Sequence, residues 1–136
     1  MTSRLPITRP IVRAPDLDAT VFENVDIALH ELLAASMATG VPLIHGRTFR
    51  GCRLVGPAIV MAALGTTFDD TNFGDPRGDN RNLVLRPLGV RATGAIVMQD
   101  CVVDGCEFSE VGFTGSDSFI DWIIGLKTTP EFGSLS

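Results

Sequence analysis

Three cysteines, two histidines and a scatter of carboxylates are the groups in this chain with the means to do chemistry. Cys101 and Cys106 stand five residues apart, which misses the Cys-x-x-Cys spacing of zinc and redox sites. His30 and His45 have no second histidine, cysteine or carboxylate at ligand spacing beyond Glu31, so no metal site is expected. His45 and Cys52 have the residue types of a nucleophile–base pair, which works only if Cys52 is exposed. Asp69, Asp70, Asp75 and Asp79 cluster without the spacing of a calcium loop, and read as a solvated loop. Within that stretch Arg77-Gly78-Asp79 is the adhesion tripeptide, short enough to recur by chance. No dinucleotide fingerprint, phosphate loop, nucleophile elbow or zinc-helix motif occurs. The expectation is therefore no catalytic residue, no cofactor and no metal.

Composition narrows the classes. A net charge of −5 argues against sequence-independent binding to nucleic acid, which needs lysine and arginine in excess, and against an anionic membrane surface. No apolar run approaches the length of a spanning helix, and the first residues carry proline and arginine where a secretory signal would be apolar. An odd count of three cysteines then reads as reduced thiols, and the cytoplasm as the expected compartment. With 136 residues and 45% hydrophobic content, one domain with a full core is expected.

The elements that must position these groups follow from spacing. Residues 1–19 hold Pro6, Pro10 and Pro15 between Arg4, Arg9 and Arg13, and read as an extended arm. Thr20-Val21-Phe22-Glu23 has the form of a capping box, and Val21, Val25, Ala28, Leu29 and Leu32 recur near helical spacing. A helix over Val21–Ala38 within residues 20–40 is expected, stopped at Gly40. From Pro42 a period of five takes over, with apolar pairs two apart such as Cys52/Leu54, Ala62/Leu64, Leu83/Leu85, Leu88/Val90, Cys101/Val103, Cys106/Phe108 and Val111/Phe113. A helix (period 3.6) or an alternating strand (period 2) does not sustain it. Ala58-Ile59-Val60-Met61 echoes in Ala95-Ile96-Val97-Met98, as stacked repeats would. Residues 41–115 are read as a β-solenoid interrupted by a polar loop at 74–82, and 116–136 as a C-terminal helix and tail. That final helix, with Phe119, Trp122, Ile123 and Ile124, is apolar nearly all round and must be buried.

At Cys101–Gly115, and more loosely from Pro42, the chain resembles the pentapeptide-repeat proteins. Their pattern turns a small residue inward and Leu or Phe inward two places later. Here the small positions are Cys52, Ala62, Cys101 and Cys106, and the large ones Leu54, Leu64, Phe108 and Phe113. Asp or Asn is mostly missing between the paired positions, where Arg53, Ala63, Val102, Glu107 and Gly112 stand, and the phase slips twice. The resemblance implies a mainly β fold, a short right-handed parallel β-helix with a capping α-helix at the N-terminal end and a short helix at the C-terminal end. Cys52, Leu54, Cys101, Cys106, Phe108 and Phe113 would fill its core.

The function expected first is non-enzymatic protein–protein interaction, with a homodimer through Phe119, Trp122, Ile123 and Ile124, since aromatic and branched anchors dominate interface energy. An acidic nucleic-acid mimic displaying Asp100, Asp104, Glu107 and Glu110 to a topoisomerase is the second reading. A small-ligand binder or enzyme with a groove near loop 74–82 is the third.

Overall fold

The computed structural model describes residues 6–126. In chain order come β1 (Val21–Glu23), β2 (Asp26–Ala28), α1 (Leu29–Ala38), β3 (Ile44–His45), β4 (Thr48–Arg50), β5 (Arg53–Ala62) and β6 (Thr67–Asp69). A short 3-10 helix (Asn80–Leu83), β7 (Ile96–Gln99), β8 (Val102–Asp104), β9 (Glu107–Thr114) and α2 (Asp117–Ile124) follow. Every pairing between these strands is parallel. One sheet runs β1-β4-β8-β6; the other runs β2-β5-β7-β3, with β9 also paired to β5.

That order corrects the expected β-helix. Coils that follow one another along a solenoid lie side by side in the order of the chain. Here β8 lies between β4 and β6, and β7 between β5 and β3, so the late segment 96–114 is inserted among segments that precede it. The result is an α/β-like arrangement of parallel sheets with two helices. A five-residue period says which side chains turn inward; it carries no information about which segment neighbours which. The echo shows the gap. Its two copies do pair, but one residue out of the repeat register, Val60 with Ile96 and Met61 with Val97.

The expected helix over Val21–Ala38 is also corrected: its first eight residues form β1 and β2, and only Leu29–Ala38 is helical. A capping box contributes about 1 kcal/mol. Burying Phe22 and Ile27 contributes about 1.5–3 kcal/mol each, and the strands do this by placing Phe22 beside Phe49 and Ile27 beside Leu54. Packing outweighs the local signal.

Inward rows make the core. Phe22, Phe49, Val103 and Phe68 align across the first sheet, and Ile27, Leu54 and Phe108 across the second. Phe73, Phe108 and Phe113 meet at centroid separations of 4.9–5.9 Å, in stacked and edge-on contacts. α2 lies on this group, with Ser116 capping its start by accepting from the Phe119 amide. Between the sheets the chain turns through left-handed residues in matching positions, Asn24, Gly51, Gly105 and Asp70.

The beat fails at two places. The β5–β9 register shifts between Val55 and Ala58, so Val60 turns inward while Leu64 lies 89% exposed. Gly56 at that shift packs so tightly that a Cβ would sit 2.0 Å from the Glu110 carbonyl oxygen. Leu85, Leu88 and Val90 sit in a loop and face solvent, because Pro87 and Gly89 interrupt any strand there.

Candidate functional site

The outer face of β2, β5 and β9 carries two rows of side chains. The first row aligns Asp26, Arg53 and Glu107. The arm crosses this row and is clamped to it. Arg53 Nε donates to Asp26 Oδ1 at 2.6 Å and its Nη2 to Oδ2 at 3.1 Å, a bidentate pair. The same guanidinium donates to the carbonyl oxygens of Ile7 (3.3 Å), Arg9 (2.8 Å) and Pro10 (3.0 Å). Arg9 reaches Asp26 at 3.1 Å, the Val12 amide donates to Asp26 at 2.7 Å, and the Ile7 amide donates to Glu107 at 2.6 Å. Partial burial pushes the Asp26 carboxyl up, but hydrogen bonds from Arg53, Val12 and Arg9 outweigh it and hold the group below the ordinary carboxylate range.

The second row aligns Ala28, Val55 and Ser109, and the arm leaves it uncovered. This row floors a groove of about 570 Å³. Ile11 and Leu17 of the arm form one wall, and Arg13 and Glu31 line it with opposite charges. Neither of those two makes an ion pair among the described residues. Asp26, Arg53 and Glu107 of the first row line its other edge, and the volume is that of a ligand-sized site.

A second feature lies beside α2. Leu85 is 55% exposed, and Leu88 and Val90 are fully exposed, on a loop anchored by Arg86, which donates to Asp117 (2.6 Å) and Asp121 (2.9 Å) of α2. Of the four residues expected to form a subunit contact, Trp122 is 37% exposed and edge-on to Phe73, and Ile124 is half-buried. Phe119 packs on the core, and Ile123 is wholly buried within the chain. The loop at 74–82 does structural work: Asp79 accepts from the Arg81 amide, and Asn80 Nδ2 donates to the last carbonyls of α2 and to that of Leu126. The charged rim of the groove thus lies elsewhere, on the arm and α1. The expected tail beyond residue 126 lies outside the described residues.

Cys52, Leu54, Cys101, Cys106, Phe108 and Phe113 are all without solvent exposure. Cys52 and Cys106 face each other across β5 and β9, with the Cys52 amide 3.4 Å from the Cys106 sulfur. Each sulfur reaches peptide oxygens, Cys52 those of Phe22 and Arg50, Cys106 those of Phe49 and Asp104. The neighbouring Cys52 and burial both push the Cys106 thiol up, and burial pushes Cys101 up. The hydrogen bond with Cys106 draws the Cys52 thiol down to about 7, against burial, which pushes it up. His45 pairs with Asp100 at 3.3 Å on the surface and does not meet Cys52. Among the described residues no group of three or more His, Cys, Asp or Glu is placed to hold a metal ion, and no helix is long and apolar enough to cross a membrane.

The chain matches no protein-family model, no curated protein and no solved structure, and these comparisons lend the pentapeptide-repeat resemblance no support. The arm clamp, the groove and the exposed loop escape sequence reading because their partners are far apart in the chain, 27 residues for Arg53 and Asp26. Pro87 and Gly89 were the one local sign that Leu88 and Val90 would not turn inward.

Proposed function

We propose that the protein acts by binding protein, without catalysis, and that its contact surface is the Leu85–Val90 loop beside α2, used first of all for self-association. The observation that carries this reading is the exposure of three large aliphatic side chains within six residues of loop, held against α2 by the Arg86 ion pairs. Grouped exposed aliphatics of this kind mark interaction surfaces, whereas single ones are ordinary. Trp122 adds an aromatic anchor on α2.

The acidic-mimic reading has weaker support. Along the outer rows, Arg50 stands between Glu23 and Asp104, and Arg53 between Asp26 and Glu107, so the negative charge is broken by cations. The loop reading is tested by sedimentation across a concentration series of wild type and Leu88→Asp. Self-association of the wild type that the variant loses is expected. A wild type that stays monomeric throughout refutes the reading.

A further inference from the structure

Leu88 and Val90 protrude without a groove of their own to fill, and the groove over Ala28, Val55 and Ser109 is open without a side chain of its own to fill it. We infer that the two are halves of one contact: the Leu88–Val90 knob of one copy seats in the groove of a second copy. This inference rests on the self-association reading and names what the loop binds.

Three observations point to this occupant. Ile11 and Leu17 on the arm wall, with Ala28 and Val55 on the floor beside Ser109, give the groove aliphatic surface to meet the aliphatic knob. Its lining carries an unpaired carboxylate, Glu31, and the knob is followed by Arg91, which has no ion-pair partner among the described residues; Arg86, the other nearby cation, is already taken by Asp117 and Asp121. Finally, Arg13 at the groove offers guanidinium donors to the knob's backbone carbonyls, and the knob itself contains no acidic residue to pair with it instead. A contact between two different patches is heterologous, so in a pair one copy keeps a free groove and the other a free knob, and assembly continues until a ring closes or a filament grows.

The geometry predicts complementation. Leu88→Asp removes the knob and leaves the groove intact; Val55→Glu spoils the groove floor and leaves the knob intact. Each variant alone should self-associate about 10- to 100-fold more weakly than wild type, and a 1:1 mixture should form a dimer that grows no further. Glu31→Arg, at an exposed position in the first turn of α1, should weaken association about fivefold, with recovery on adding Arg91→Glu. Circular dichroism melts of every variant separate lost association from lost folding. If Val55→Glu and Glu31→Arg associate as wild type does while Leu88→Asp does not, the groove is not the receptor; the inference falls and the loop reading stands. A mixture of the two folded variants that stays monomeric also overturns it. A monomeric wild type removes both.

Discussion

Replacing Arg53 with methionine keeps the aliphatic stem and deletes the fork that ties the arm to the sheet. Cutting one partner out of a buried ion pair costs about 3–5 kcal/mol when the other charge is stranded. Asp26 is not stranded here, since Arg9 and the Val12 amide still reach it. What is lost is the bidentate pair and three bonds to arm carbonyls, and those carbonyls regain water as the arm lifts. A loss of about 2–3 kcal/mol follows, each neutral bond being worth about 0.5–1.5 kcal/mol net. For a chain of this size that lowers Tm by roughly 7–12 °C. The arm should open before the sheets do, because its hold on them is local. Trypsin reads that opening at the Arg13–Ala14 bond, since Arg9 precedes Pro10 and resists cleavage. Wild type should be protected there and Arg53→Met cut early. Arg53→Lys should behave almost like the methionine variant, as one ammonium cannot span a carboxylate and three carbonyls. A variant with Tm within about 2 °C of wild type and equal protection at Arg13 would refute the clamp.

Two further outcomes follow from the same structure. Because the folded carboxyl of Asp26 is held below its unfolded value, its contribution is complete at neutral pH and is lost as pH falls through the ordinary carboxylate range and below. Urea midpoints of wild type and Asp26→Asn should therefore differ by a constant amount above about pH 5 and converge below about pH 4; a gap that persists into acid counts against the assignment. The three thiols should be silent toward a thiol-specific chromogenic disulfide in the native state and react together on denaturation, being wholly buried. Rapid labelling of Cys52 in native protein would contradict its place in the core.

Reading the chain in fives singles out the small-and-large pairs at Cys52/Leu54, Cys101/Val103, Cys106/Phe108 and Val111/Phe113, side chains that the structure buries. The legible part is a one-dimensional property, the direction each side chain takes. Neighbour relations are not: β6 finds β8 rather than β4 because the polar stretch after Gly74 gives the chain room to return and slide β7–β9 between earlier strands. Val21–Ala28 misreads for a different reason. Its apolar spacing suits a helix, and only the strands waiting at Thr48–Arg50 and Arg53–Val55 make β-pairing the better use of Phe22 and Ile27. Of the candidate site, the arm's proline and arginine content marks an extended segment, but Arg53 as its anchor is invisible until β2 and β5 are paired. Leu88 and Val90 fit the beat and break it, since no strand is available to carry them.

The interleaving of residues 96–114 between older strands has a consequence for biogenesis. Until residues 96–114 are synthesised, β4, β5 and β6 lack the strands that lie beside them in the folded sheets and expose raw edges, so the segments before residue 96 cannot settle stepwise. Compaction has to await β9, in one late event that threads the newest segment into a waiting slot. Severed within the long connection between β6 and β7, the polypeptide would become two complementary pieces, neither with a finished interior, that regain one only by finding each other.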